Sequence, residues 1–412
     1  MNPTVSAATG RASSWGGVFA LALGAFALVA SEFMPVSLLT PMATDLRVSE
    51  GQAGQAITIS GAFALLTSLS IAALAGRLDR KHLLIGLTGL MVVSGTVAAF
   101  APNYVVFMAG RALIGIAIGG FWSMSAATAM RIVPNDHVPR ALAVVNGGNA
   151  LATVLAAPLG SLLASMVGWR WATFAVVPIA ALALIWKMAA LPPMKPRTAV
   201  RRRSLFGLMK ERRIVLGMAA VAALFMGQFT LFTYLRPFLE TVTGVTAGTL
   251  SMLLLIIGIA GFIGTVLIGP FLKAGLYRTL IAIPLLMAAI AMTLPFVGRS
   301  VAATAMLLAV WGLVGTAAPV GWWTWLARTL PNDSEAGGGL MVAVVQLAIG
   351  LGAGVGGLIF DRAGYQATFG ASAAVLLVAA ALAWLASRAS LHGATRNQNV
   401  PDHTTALEVV QA

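Results

Sequence analysis

Cysteine is absent from the 412 residues, so a disulfide, a thiolate metal site and a cysteine nucleophile are all excluded. Histidine is scarce, and His82, His137, His392 and His403 all fall between the apolar runs or in the C-terminal tail. Charge is scarce as well: 9% of the residues are Asp, Glu, Lys or Arg, where a soluble domain carries about a quarter. In its place is 59% hydrophobic composition, laid out in runs of about 20 residues, the length that crosses a bilayer as a helix. Twelve such runs cover about 17–42, 53–76, 83–100, 104–128, 141–166, 172–191, 214–239, 248–272, 279–297, 301–326, 338–360 and 366–387. The first is too long for the apolar part of a signal peptide and is read as a retained span. The expected class is an all-α integral membrane protein.

The formal net charge is +14, and its placement points to a membrane rather than to nucleic acid. With the N-terminus inside, Arg47, Arg170, Arg299 and Arg362 fall in outer loops, and Arg111 and Arg236 fall within spans. The other Lys and Arg residues, with Lys187 counted at a helix edge, lie on the side shared by both termini. That asymmetry places both termini in the cytoplasm. The densest run, KPRTAVRRRSLFGLMKERR (Lys195 to Arg213), lacks the aromatic interleaving and binding fold of a nucleic-acid site. It divides the chain into residues 1–191, a six-helix half; 192–213, a basic cytoplasmic linker; 214–387, a second six-helix half; and 388–412, a disordered tail.

The halves repeat each other. RIVPND (Arg131 to Asp136) returns as RTLPND (Arg328 to Asp333) at an offset of 197, and WRWATF returns as GYQATF at 195. Asn149 falls opposite Gln346. Parallel six-span repeats are the plan of transporters that bind substrate between their halves near the membrane midplane.

Eleven of the twelve acidic residues fall at the faces or in the tail, leaving Glu32 alone at membrane depth. A carboxylate there costs about 2.5–3.5 kcal/mol on insertion scales. Arg111 stands at nearly the same depth, about seven residues into span 4, and is the expected partner. A fixed Glu–Arg bridge is one reading; a carboxyl that loads and releases a proton beside a guanidinium is the other, and the lack of a second acid favours it. Membrane hydrolases need paired carboxylates, a His-activated nucleophile or a metal. No such set stands at membrane depth, so no enzyme, metal or cofactor is expected. Arg236 near the outer end of span 7 reads as a snorkelling residue.

Asn146, Asn149, Gln228 and Gln346 lie mid-span. Buried amides join helices or line a cavity for a neutral ligand rich in hydrogen-bonding groups. Phe121, Trp122, Phe229, Phe232 and Trp311 lie deep enough to stack on a planar ligand. Trp322, Trp323 and Trp325 read as an interfacial belt, with Trp323 kept among the ligand contacts.

LAGRLDRKHLL (Leu74 to Leu84), GRALIGIAIGG (Gly110 to Gly120) and LAAPLGSLL (Leu155 to Leu163) together resemble the motifs of the twelve-span drug:proton antiporters of the major facilitator superfamily, from about residue 20 to 390. The resemblance makes Asp79, Arg80 and Lys81 a gating loop, Arg111 the span 4 arginine, and Pro158 and Gly160 the antiporter motif. The loop lacks the family's second glycine, with His82 near its place, and Ala157 stands where glycine is usual. SEFMPVSLLTPMATDL, GGFWSMSA, GQFTLFTYLRP, PVGWWTWLAR and VAVVQLA are similar to the bacterial purine ribonucleoside efflux pumps, and the sugar-efflux group shares several of them. What this resemblance implies is proton-driven export of inosine- or guanosine-like compounds across the inner membrane by a monomer, with a small-molecule substrate, protons and the lipid bilayer as its partners. A sugar or multidrug exporter on the same fold is the alternative.

Overall fold

The computed structural model describes residues 14–75, 78–194, 207, 211–330 and 334–398. Most of the basic linker, the tail beyond 398, residues 76–77 of the inner-face motif and residues 331–333 of the internal repeat lie outside these.

Among the described residues, ten helices are long and apolar enough to cross a bilayer. Ala247–Val297 has 51 residues, about twice what one crossing needs. It breaks at the non-helical Gly275, and Ser334–Gln398 breaks likewise at Gly364. Each is two spans run together, so the described residues hold the twelve spans expected.

Spans 1 to 6 are Trp15–Ser37, Glu50–Ala75, Arg80–Ala99, Tyr104–Ile132, Val138–Val167, and Trp169–Phe174 continued by Val176–Ala190. Span 7 is Arg212–Phe232 continued by Leu235–Phe238, spans 8 and 9 share Ala247–Val297, span 10 is Val301–Thr329, and spans 11 and 12 share Ser334–Gln398. The last helix runs past 387, so the first residues of the expected tail are helical. Alanine and arginine there are good helix formers, and an established helix propagates easily.

The repeat is geometric as well as textual. Spans 4 and 10 both have 29 residues and begin and end at an offset of 197. Their N-caps keep it too: Asn103 accepts from Val106 N at 3.0 Å and Ser300 from Ala303 N at 3.3 Å. Gly168 and Gly364, both with positive φ, make the turns into spans 6 and 12.

Apolar side chains gather into one cluster within the first six spans, including Leu28, Phe107 and Trp169, and another within the last six, including Leu224, Trp311 and Phe369. Two small clusters join them. Val36 and Ile57 meet Phe229, Ile349 and Ala353, and Leu39, Ala43 and Ala53 meet Tyr234.

Spans 2 and 11 close against each other toward the end that carries Asp361. Ser49 Oγ donates to Asp361 at 2.5 Å and Gly51 N at 2.9 Å. Deeper in, Gln55 Nε2 donates to Gly354 O at 3.1 Å and Thr58 Oγ1 to Gly350 O at 2.9 Å. Glycine makes this approach possible, since a Cβ at Gly51 would overlap Gly357 O and the Asp361 carboxylate. Without a hydrophobic drive between helices in lipid, such close packing and polar contacts hold spans together.

Two expectations are corrected here. Lys187 stands in the last turn of span 6, at the helix edge expected, but its side chain is fully buried: its Nζ donates to Thr88 Oγ1 at 2.8 Å and lies 4.8 Å from the centre of the Phe121 ring. Helical side chains lean toward the N-terminus of their helix, which for span 6 carries the long lysine chain inward. Trp322 and Trp325 are core residues rather than an interfacial belt, and only Trp323 is exposed, because adjacent helical positions face different ways.

Candidate functional site

Span 1 is interrupted at Pro35 and ends at Ser37, and the site grows from those two points. A proline has no N–H to give the carbonyl four residues back. Pro35 therefore leaves Ser31 O without its helical donor, and Ser37 O, in the last residue of the helix, has none because the helix ends there. In lipid a bare carbonyl has to find a donor within the protein. Arg111 supplies the first, with Nη1 on Ser31 O at 2.8 Å. Arg236 supplies the second, donating from Nη1 to Ser37 O across the two halves.

Arg111 is 4% exposed and spends its whole fork on spans 1 and 2. Besides Ser31 O, it donates from Nη2 to Glu32 O and Ser60 Oγ and from Nε to Ala56 O, each at 3.2 Å. The expected Glu–Arg ion pair is therefore corrected: the guanidinium holds the backbone carbonyl of Glu32 and makes no salt bridge with its carboxylate. The proline helps set the geometry, since the Ser31 carbonyl it frees lies where the fork arrives.

The Glu32 carboxylate points the other way. It is 5% exposed, and its Oε1 accepts from Gln346 Nε2 of span 11 at 3.2 Å. The sole acid expected at membrane depth thus touches the opposite half through an amide. Gln346 Oε1 is buried with no partner, as are Gln228 Oε1 and Trp311 Nε1. Buried polar atoms normally find partners, and one left alone costs about 1–3 kcal/mol. Phe33 of span 1 stacks on Phe229 of span 7 with 5.6 Å between ring centres, and Phe229 meets Phe232 edge-on at 6.0 Å. Carboxyl, unpartnered amides and aromatic faces all stand along the seam or beside it in the last six spans.

Other predicted site residues are placed elsewhere. Phe121 lies in the first-half core between Lys187 and Trp122, with Trp122 edge-on at 5.6 Å. Asn146 is exposed and donates to Leu142 O of its own helix at 3.0 Å; Asn149 is half-buried, and Trp323 is exposed. Pro158 and Gly160 are buried in span 5, with Gly160 against Ser37 and Met34, so that motif packs on span 1 beside its break. Asp79 caps span 3 through Lys81 N at 2.8 Å and also accepts from Met194 N at 2.9 Å. With Arg80 N on Met194 O at 3.3 Å, this loop staples the start of span 3 to the exit of span 6.

Sequence reasoning missed the reach of Arg236. It is buried rather than snorkelling, bonds Glu240 through Nε and Nη2 at 2.8 Å each, and crosses to Ser37 O. The available signal was general rather than local: the last carbonyls of any helix lack intrahelical donors, and Ser37 ends span 1.

Twelve spans in parallel repeat, closed at one end around a buried carboxyl, define a transporter fold. The Major Facilitator Superfamily model matches residues 21–341, and the chain belongs to that family. The Pseudomonas aeruginosa protein named Transcription regulatory protein OpdE is 60% identical over 382 residues, 92% of this chain and 95% of its own. The Salmonella typhimurium purine ribonucleoside efflux pump NepI is 39% identical over 367 residues, 89% of this chain and 92% of its own. Among solved structures, a D-xylose-proton symporter superposes with a TM-score of 0.74 at 16% identity, covering 90% of this chain and 98% of that one. The human organic anion transporter TETRAN gives 0.64 at 17%, covering 90% and 100%. At these identities the two structures show the fold alone. Family and relatives make the chain a multi-pass membrane transporter, not an enzyme.

Proposed function

We propose that the chain is a proton-coupled antiporter that exports purine ribonucleosides and their analogues across the bacterial inner membrane, with both termini cytoplasmic. The observation that carries this reading is the Glu32–Gln346 contact. It ties the buried acid of one half to an amide of the other, and that amide still holds an unused acceptor. Residues 1–191 and 214–387 rock about this seam as two bodies joined by the 192–213 linker. In that topology the zipped Asp361 end faces outward and the arrangement is inward-facing.

An ionised Glu32 accepts from Gln346 Nε2. A protonated one carries a donor of its own, for which Gln346 Oε1 is the waiting acceptor. A purine that presents an N–H beside a carbonyl competes for the same carboxamide, since a glutamine offers donor and acceptor side by side. Proton and substrate then bias the two states in opposite directions, the condition for exchange. Phe229, Phe232, Gln228 and Trp311 supply the faces and polar groups for base and ribose. The 39% identical efflux pump supports the substrate class. The name of the 60% identical relative is compatible with transport, because exporting a small-molecule effector alters the internal level that a regulator senses.

The test is substrate-induced proton release from detergent-solubilised protein, with inosine, guanosine, sugars and hydrophobic drugs as ligands. The wild type releases protons on adding nucleoside, and Glu32→Gln releases none while still binding. If substrate binding expels one proton, nucleoside affinity rises with pH by up to about tenfold per unit in the wild type and stays flat in the variant. Equal release from both proteins would return Glu32 to a structural role, and release driven by sugars or drugs alone would move the substrate class.

A further inference from the structure

Away from the seam, the last six spans carry a cavity of about 430 Å³ at the end where spans 8, 10 and 12 finish. Its wall comes from Arg213 at the start of span 7, the Gly275–Arg278 break between spans 8 and 9, Trp325 and Arg328 of span 10, and Ser390 of span 12. The floor satisfies itself. Trp325 Nε1 donates to Tyr277 Oη at 3.1 Å, Tyr277 and Ser390 share a hydrogen bond of 2.6 Å, and Ser390 Oγ donates to Ala386 O at 3.0 Å.

The rim does not. Three guanidinium groups, Arg213, Arg278 and Arg328, stand exposed around one opening. Arg213 is paired with Glu211 at 2.9 Å; Arg278 and Arg328 make no ion pair among the described residues. Arg278 lies over the Gly275 break, where a Cβ would meet its side chain at 3.2 Å. Like charges gathered at one mouth repel each other and focus a field that an anion relieves. Guanidinium forks match phosphate oxygens two at a time.

Position narrows the source of that phosphate. The pocket sits at the ends of membrane spans, and Phe271, one turn before Gly275 on span 8, and Trp384, six residues before Ser390 on span 12, are exposed apolar side chains. Basic pockets between transmembrane helices at the membrane face suit lipid headgroups.

We propose that this pocket binds the phosphodiester headgroup of an anionic phospholipid, with Arg278 and Arg328 on the phosphate and the acyl chains along Phe271 and Trp384. The site is independent of the nucleoside reading, needing only the membrane placement.

The test titrates purified full-length protein in mild detergent with phosphatidylglycerol, phosphatidylcholine or inorganic phosphate and follows thermal stabilisation. Phosphatidylglycerol stabilises the wild type saturably, and the other two do not. Each basic residue near a headgroup contributes a comparable increment, so Arg278→Gln with Arg328→Gln raises the half-saturating lipid about 30-fold. Should the double variant fail to fold, Arg328→Gln alone, at an exposed helix end, raises it about fivefold. Identical titrations of wild type and folded variant overturn the proposal. Stabilisation by inorganic phosphate that is lost in the variant also overturns it, by showing a soluble anion at the site.

Discussion

Arg111 and Arg236 are two buried arginines solving one problem in different ways. Each takes a carbonyl of span 1 that lacks its helical donor, Arg111 the one freed by Pro35 and Arg236 the one at the end of the helix. Arg111 spends every donor group inside the first half, on Ser31, Glu32, Ala56 and Ser60. Arg236 keeps Glu240 beside it and reaches across to Ser37. The first is a fixture that can stay made while the halves move. The second joins the halves and has to break when the closed end opens. The same residue type thus serves as frame or as latch according to which side of the seam its acceptor lies.

The sharpest way to break that contrast is Arg111→Ala. It strips donors from carbonyls that have no water to turn to, and the expected loss is roughly 3 kcal/mol or more of stability, from several hydrogen bonds to a charged group. Thermal melting of the purified protein measures it, and Arg111→Lys, with a point charge in place of a fork, falls between. A wild-type melting temperature for Arg111→Ala would mean the carbonyls are satisfied in another way.

Arg236→Met should leave the fold intact and loosen the closed end alone. Losing one charged hydrogen bond, about 1.5–3 kcal/mol, shifts the balance of open and closed states tenfold or more. Because the chain has no cysteine, one cysteine introduced on span 2 and one on span 11, at positions outside the contacts that hold the closed end, report that balance by cross-linking. The cross-link yield is expected to fall with Arg236→Met and to be unaffected by the stabilised frame around Arg111. A yield unchanged by Arg236→Met would show that Asp361 and the glycine contacts hold the end without it.

The smallest effect tests whether Gln346, which also crosses the seam, behaves as latch or as ligand contact. Gln346→Ala is expected to weaken nucleoside binding by about 0.5–1.5 kcal/mol, with cross-linking at the closed end preserved. Equilibrium binding at fixed pH measures the first. Unchanged affinity would make Gln346 helix glue and move the amide contacts to Gln228.

Much of this was legible before any coordinates. Glu32 and Gln346 were both singled out because a polar group in lipid is expensive and rarely idle. The repeat offset of 197 read from two six-letter matches proved to be the offset of two whole helices and their caps. Other readings failed for specific reasons. Depth alone pairs Arg111 with the Glu32 carboxylate, because a list of charges does not show that Pro35 frees the Ser31 carbonyl closer to hand. Lys187 does stand at the edge of its helix, but a position says where Cα sits and not where a four-carbon chain ends, and that chain is buried. Phe121 looked like a stacking surface at the right depth, but it faces the core of its own half.

Hydropathy, charge placement and spacing by themselves determined a twelve-span membrane protein built from two repeats, with one acid and few cations at depth. Those properties follow from local rules: helix length against bilayer thickness, and the cost of charge in lipid. Which partner each buried group takes was decided only in the tertiary structure. Hydrogen bonds need atoms within about 3 Å, and only packing the halves brings Glu32 to Gln346, Arg236 to Ser37 and Asp361 to Gly51, pairs separated by some two to three hundred residues of chain.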